Sequence, residues 1–234
     1  MSEALQFAQT TLQEVALVFM AVVYMLRLRW IFKRFPAAKE RQGSTGNPDT
    51  NPRKGFLYSW AIIGMPWVME SSRTKPIMYG MFVIFHIGVV VAIAESFIIP
   101  YAPGFLAANP WLGTFIQVSC TAACLVGVLR FIRRVSDKGM RAISSPDDYF
   151  SLLLLTVWFA FAALAGTNDA SGGEGFLLTY FWMTAFFLVY VPFSKISHYL
   201  YYPITRYYFG KSMGNRGTYP IVKSVPGYVK TAGE

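Results

Sequence analysis

Residues 76–101 read PIMYGMFVIFHIGVVVAIAESFIIPY, an apolar run with one carboxylate, one imidazole and no Lys or Arg. A helix needs about 20 apolar residues to cross the hydrocarbon core of a bilayer, and this run is long enough. The whole 234-residue chain has the same character, since 54% of its residues are hydrophobic and 14% are charged. A typical soluble domain has about 25% charged residues, so we expect an integral membrane protein.

Four further apolar runs predict helices that cross the membrane. The weakest has a short uncharged core at residues 15–26, and its Arg27 and Arg29 would reach back to the headgroups. The runs cover residues 10–31, 110–131, 148–166 and 176–199. The sequence therefore predicts an all-α fold, a five-transmembrane-helix bundle over residues 1–208. A tail over residues 209–234 follows, and we expect it to become ordered only against a partner.

The segment FLYSWAIIGMPWVM, residues 56–69, is apolar but too short to span, so we expect it to be interfacial or re-entrant. The charge distribution supports five spans rather than six. With five, all 21 Lys and Arg fall on one side, in residues 27–75, in residues 130–147 and from residue 195 onward. Basic residues are retained in the cytoplasm, which predicts the N-terminus outside and the C-terminus in the cytoplasm.

The net charge of +9 follows from this topology together with attraction to anionic lipid of the bilayer. A docking face for an acidic cytoplasmic subunit is the second interpretation of the same charge. No basic module interleaved with aromatic residues indicates nucleic-acid binding. We therefore expect a multi-pass protein of the cytoplasmic membrane with no nucleic-acid partner.

The chain has two histidines, and both fall in predicted spans. His86 lies ten residues after Pro76, about 15 Å along the helix, and His198 lies at the cytoplasmic end of the fifth span. A lone intramembrane His is as often a hydrogen-bonding group between helices. Two at compatible depth favour axial ligation of one haem b. The chain lacks a C-x-x-C-H motif, which excludes covalent haem attachment.

Two motifs resemble the gamma subunit of respiratory nitrate reductase and related cytochrome b subunits of sulfate-reducer and heterodisulfide-reductase-like complexes. They are FHIG at residues 85–88 and PFSKISH at residues 192–198, within a resemblance over roughly residues 75–205. Members of that family are five-helix quinol oxidases of prokaryotic inner membranes. The resemblance implies haem iron between His86 and His198, a cytoplasmic iron–sulfur subunit and other membrane subunits as partners.

The chain departs from the family pattern at two positions. The nitrate reductase subunit has four His that hold two haems, and the outer pair corresponds here to Ser96 and Tyr180. Neither side chain replaces imidazole as an ordinary ligand of haem b. We therefore expect one haem, on the cytoplasmic half.

Five other residues are candidates for supporting roles. Glu95 lies nine residues beyond His86 and is a candidate to accept a proton from a quinol, or else reaches headgroup water. Tyr180 is a quinone candidate, or else a belt residue at the interface. Arg130, Arg134 and Lys195 are possible partners of the haem propionates, or else positive-inside anchors.

These expectations combine into one function. The chain would relay electrons between menaquinone or ubiquinone and a cytoplasmic iron–sulfur subunit, as a subunit that is not an enzyme alone. The alternative is a membrane anchor or scaffold of a redox complex, with a structural haem or none and no quinone chemistry. A transporter is disfavoured, because intramembrane ionisable residues are scarce and no internal repeat exists.

Overall fold

The computed structural model describes residues 1–34, 51–171 and 173–220, and within these ranges the secondary structure is entirely helical. The α-helices are α1 (Glu3–Gln9), α2 (Thr11–Arg34), α3 (Pro52–Ala61), α4 (Glu70–Thr74), α5 (Pro76–Tyr101), α6 (Pro103–Ala108), α7 (Pro110–Ser136), α8 (Lys138–Ile143), α9 (Pro146–Ala165), α10 (Gly175–Tyr190) and α11 (His198–Asn215). Short 3-10 turns occupy Ile62–Gly64, Val191–Phe193 and Lys195–Ser197.

Five of the described helical segments are long and apolar enough to cross a membrane. They are Glu3–Arg34, Pro76–Tyr101, Pro110–Ser136, Pro146–Ala165 and Gly175–Phe193. This confirms the expected number of candidate spans. Residues 56–69 are not among them: α3 ends at Ala61, a 3-10 turn follows, and Pro66 lies in a turn.

The chain divides into two compact units. Unit 1 comprises Met1–Phe32 and Ile77–Ser197, and unit 2 comprises Lys33–Pro76 and His198–Glu234. The expected boundary after residue 208 falls inside α11, and residues 209–215, expected in the tail, continue that helix. The remainder of the tail from residue 221, with Lys223 and Lys230, lies outside the described residues, as do Lys39 and Arg41.

The fifth span is shorter than its apolar run. Helix α10 ends at Tyr190, a 3-10 turn covers Val191–Phe193, and Ser194 is extended, with φ −102° and ψ 170°. Pro192 has no N–H to donate and its ring disfavours a continuous helix, which explains the break. The expectation of one helix over residues 176–199 is therefore wrong. His198 instead begins the separate helix α11, beyond the candidate span.

Neighbouring long helices of unit 1 run antiparallel. Along α7 and α9, Gly127 lies against Thr156 while Gly113 lies against Gly166. Along α9 and α10, the Trp158 Nε1 donates to the Thr184 Oγ1 at 2.9 Å, and the Ser151 and Tyr190 hydroxyls are 2.9 Å apart. Polar side chains thus join the helices in a bundle where apolar burial alone would not fix their register.

Two close contacts join α5 to α7 and to α10. A methyl group on Gly88 would stand 2.2 Å from the Cβ of Ala123, so α5 and α7 touch at a position that only glycine allows. Four residues further along α5, the carbonyl of Ala92 accepts a 2.5 Å hydrogen bond from the hydroxyl of Tyr180 in α10. These two contacts fix the section of α5 that begins just after His86.

Unit 2 is built on backbone contact between α3 and α11. A Cβ on Gly210 would stand 2.5 Å from the Phe56 Cα, and one on Gly214 would stand 2.7 Å from the Asn51 carbonyl oxygen. The indole of Trp60 donates to the carbonyl of Pro203 at 2.9 Å, so the two helices are antiparallel. The apolar segment of residues 56–69, which is not among the candidate spans, therefore begins in a helix that has a helical partner within the chain.

Candidate functional site

His86 lies in α5 with its ring nitrogens in distinct roles. The Nδ1 atom is 2.7 Å from the carbonyl oxygen of Phe82, one turn earlier. A carbonyl oxygen only accepts, so Nδ1 carries the proton, and the lone pair of the neutral ring is on Nε2. Ligating imidazoles are typically held in this way, by a hydrogen bond from the other ring nitrogen. The chemistry of His86 therefore fits an axial ligand of haem iron.

Aromatic rings and one cation surround this position. The rings of Phe82 and His86 have centroids 4.1 Å apart, and the buried ring of Phe85 meets Phe159 edge-on at 5.1 Å. The Arg130 guanidinium carbon lies 5.2 Å from the centroid of the Phe85 ring. Arg130, a predicted propionate partner, is thus placed beside the residue that precedes His86 and stacks on an aromatic face.

Lys195 and Arg134, the other predicted propionate partners, meet at Asp148. The Nζ of Lys195 lies 2.7 Å from the Asp148 Oδ2, and the Nη1 of Arg134 lies 3.8 Å from the Asp148 Oδ1. The Lys195 Nζ also donates to the Ser145 Oγ at 2.8 Å, and the Arg134 Nη1 to the Ser144 Oγ at 2.7 Å. Both cations therefore have an anionic partner inside the chain.

Asp147 holds the break between α10 and α11. Its carboxylate accepts a hydrogen bond from the Tyr190 hydroxyl, and a second from the backbone N–H of Lys195 at 3.1 Å. Sequence reasoning missed both Asp147 and Asp148. The available signal was the capping pattern at the start of α9, where the side chains and backbones of Ser145 and Asp148 cap each other.

His198 is the first residue of α11 and is exposed. It belongs to unit 2, whereas His86 belongs to unit 1, so haem ligation by this pair stays a prediction. Among the described residues, no group of three or more His, Cys, Asp or Glu side chains is placed to hold a metal ion. A haem iron needs only two axial ligands from the protein, because the porphyrin supplies the others.

Positions 96 and 180 are both buried, and Tyr180 joins α10 to α5. Tyr180 is fully buried and its hydroxyl donates to α5, while its ring stacks on Trp158 with centroids 6.1 Å apart. Ser96 is also buried, and its hydroxyl donates to the Ile93 carbonyl at 2.7 Å. The Tyr180 hydroxyl is therefore committed to a backbone acceptor, and it would have to leave that acceptor to donate to a quinone.

Glu95 is buried at 0% exposure, and both of its carboxyl oxygens have no hydrogen-bond partner among the described residues. It lies near Cys120 in α7 and Tyr180 in α10. Its carboxyl group is enclosed by protein atoms in this structure. A buried ionisable group of this kind within a span is a functional candidate. A quinone would reach it only if α5, α7 and α10 separated.

Comparison of the chain with protein-family models, with curated proteins and with solved structures gives no match. The resemblance to the nitrate reductase gamma subunit therefore stays a prediction carried by the two short motifs around His86 and His198.

Proposed function

We propose that the chain is the membrane haem b subunit of a respiratory oxidoreductase complex of the prokaryotic inner membrane. It relays electrons between the quinone pool and a cytoplasmic iron–sulfur subunit, and it is not an enzyme alone. Haem, when bound, supplies one-electron transfer, while the protein supplies ligation, burial and nearby charge.

The observation that carries the proposal is the geometry of His86. Its Nδ1 donates to the Phe82 carbonyl, which presents Nε2 as the ligand atom. His198, the chain's other histidine, is the second axial ligand in this proposal. Two imidazoles and the lack of a cysteine attachment motif in the sequence favour a bis-histidine haem b.

The proposed orientation rests on charge. If each of the five candidate spans crosses once, every Lys and Arg of the chain lies on one side, and the other side carries only carboxylates. The positive-inside bias then places the N-terminus outside and the C-terminus in the cytoplasm. The basic side is the side on which an iron–sulfur partner would dock.

We propose one haem rather than two. At positions 96 and 180, where the resembling family has its outer ligands, the chain has Ser and Tyr, and Tyr180 donates directly to the α5 backbone. Quinone chemistry, if it occurs near Glu95, requires these helices to open, because Glu95 and Tyr180 are both fully buried.

One observation favours a second candidate function, that of a membrane anchor with a structural haem or none. Lys195 and Arg134 pair with Asp148, and the Tyr180 hydroxyl pairs with Ala92. These groups are therefore satisfied within the chain without a cofactor or a quinone. A membrane anchor requires no additional binding role for these side chains.

A reduced-minus-oxidised spectrum of the purified protein tests the proposed ligands. The wild-type protein should give a single b-type signal, lost in His86→Gly and in His198→Gly. Imidazole in the buffer should restore it, because free imidazole fills the space left by the side chain. The matched control is Ile87→Leu, an exposed neighbour of His86 on the same helix, which should keep full haem. Full haem content in either glycine variant would rule out this ligand pair.

Quinone coupling is tested separately in the intact complex. Addition of a quinol analogue should change the redox state of the haem if electrons pass between them. A haem that responds to dithionite but not to the quinol analogue would support the anchor function instead.

A further inference from the structure

A cleft of about 510 Å³ lies on unit 2 between the start of α3 and the second half of α11. Both walls belong to unit 2, so the cleft is formed by one compact unit. Its lining residues are Asn51, Pro52, Arg53, Phe56, Tyr207 and Lys211. None of them has been assigned a role in haem or quinone chemistry.

Glycine contacts hold the two walls at a fixed spacing. A Cβ on Gly214 would stand 2.7 Å from the carbonyl oxygen of Asn51 and 2.9 Å from the Cα of Pro52. The beginning of α3 therefore rests directly on the backbone of α11. Two helices in backbone contact have little freedom to move relative to each other, so the fold sets the spacing of the two walls.

The rim of the cleft is cationic, and its cations have no counter-ion within the described residues. Arg53 lies in the first turn of α3, which contains no acidic residue, and Lys211 lies on α11. A cation at a helix N-terminus opposes the helix dipole, and an anion bound there would offset that repulsion. Neither side chain forms an ion pair within the described residues.

The surroundings of the cleft are also basic. In the described part of unit 2, Glu70 is the single carboxylate, and the Lys and Arg are Lys33, Arg34, Arg53, Lys54, Arg73, Lys75, Arg206, Lys211 and Arg216. An anion at the cleft must therefore come from outside the described residues.

The floor of the cleft is aromatic. The rings of Phe56 and Tyr207 have centroids 5.3 Å apart. On the same helix as Phe56, the side chains of Leu57 and Trp60 are exposed, and Trp is enriched at the headgroup level of membranes. A free phosphate has no apolar atoms that could pack against these rings, whereas a lipid has its glycerol and upper acyl carbons.

We propose that this cleft binds the headgroup of an anionic phospholipid, with Arg53 and Lys211 contacting the phosphate and Phe56 and Tyr207 contacting the glycerol region. The site is independent of the proposed haem function, since none of its residues takes part in it. It differs from diffuse attraction of basic loops to a charged membrane, because it specifies two cations on one rigid pair of helices.

Native mass spectrometry of the full chain in detergent micelles, titrated with short-chain phosphatidylglycerol, tests the proposal. We expect saturable binding of one lipid. The double variant Arg53→Gln, Lys211→Gln should weaken it about 25-fold, since each cation near an anionic lipid contributes about a fivefold effect. Arg73→Gln with Lys75→Gln removes the same charge from exposed residues outside the cleft, and it should change the affinity less than about twofold.

Four results would overturn the proposal. Equal weakening by both double variants would reduce the effect to diffuse charge, and absence of saturable binding would remove the site. Phosphatidylcholine binding as tightly as phosphatidylglycerol would exclude recognition of the anion. Glycerol 3-phosphate competing as well as the lipid would assign the site to a soluble phosphate. The last three comparisons use the wild-type protein, so they stand even if the cleft variant does not fold.

Discussion

Replacing Gly88 with alanine should force α5 away from α7. The added methyl carbon would stand 2.2 Å from the Cβ of Ala123, whereas carbon atoms in contact are normally about 3.5–4.0 Å apart. The helices must therefore separate by more than about 1 Å at this point. Overpacking of a filled interior costs about 1–3 kcal/mol, and we expect a loss near the middle of that range, about 2 kcal/mol.

The assay is thermal unfolding of the purified protein in detergent, followed by tryptophan fluorescence. A loss of about 2 kcal/mol corresponds to a fall in Tm of about 4–8 °C for a protein of this size. Gly80→Ala is the matched control on the same helix, because no atom lies within 4 Å of the added methyl group. It should leave Tm unchanged or raise it slightly, since alanine favours the helix.

The second variant that tests this reasoning is the exchange Gly88→Ala, Ala123→Gly. It moves one methyl group from α7 to α5 and keeps the volume of the contact, so it should recover most of the stability lost in Gly88→Ala. If Gly88→Ala and Gly80→Ala have the same Tm, or if the exchange gives no recovery, the proposed close contact between α5 and α7 is wrong.

Three smaller perturbations test other contacts of unit 1. Tyr180→Phe removes the hydrogen bond to the α5 backbone and should cost about 1 kcal/mol, measured as a lower Tm. Asp148→Asn weakens the ion pair with the half-exposed Lys195, so it should cost no more than about 1 kcal/mol, and the difference from wild type should vanish in high salt. The Ser2 hydroxyl and backbone N–H donate to Glu174 and lower the pKa of that carboxylate. The stabilisation is therefore present above the usual Glu pKa of about 4.3 and lost as the pH falls through the lowered value. The protection factors of the α1 amides should fall there in wild type, and the fall should be smaller in Ser2→Ala, which loses the hydroxyl bond but keeps the backbone N–H.

Apolar length predicted the five candidate spans well, because hydropathy over about 20 residues is a strong local signal. The second span, Pro76–Tyr101, has the same bounds in the sequence and in the structure. The fifth was predicted too long. Proline is tolerated in membrane helices, so Pro192 within a continuing apolar run did not indicate the end of the helix. The predicted span was therefore extended too far and included His198.

The partnership of α3 with α11 was not predicted, because it joins segments far apart in the sequence. Its signal was present: Gly210 and Gly214 are four residues apart, as are Gly55 and Ser59, and this spacing of small residues allows close helix packing. Hydropathy showed only that residues 56–69 are too short to span. Only the structure identified α11 as the helix that packs against α3.

The candidate site was predictable in its residue types but not in its contacts. Sequence alone singled out His86, since histidine is rare in this chain, but the donation from Nδ1 to Phe82 is a property of the helix. For Lys195 and Arg134, the sequence could not separate positive-inside anchoring from propionate binding, because both roles predict cations at the cytoplasmic ends of the spans. The pairing of both with Asp148 depends on the packing of α7 and α9 against the break after α10.

The haem content of the purified protein tests the central proposal most directly. Haem b and polypeptide are quantified on the same sample, for the wild type and for the two histidine variants. The proposal predicts one haem b per chain, and none in either His86→Gly or His198→Gly without added imidazole. A wild-type protein with no haem or with two, or a histidine variant that keeps its full haem, would contradict it.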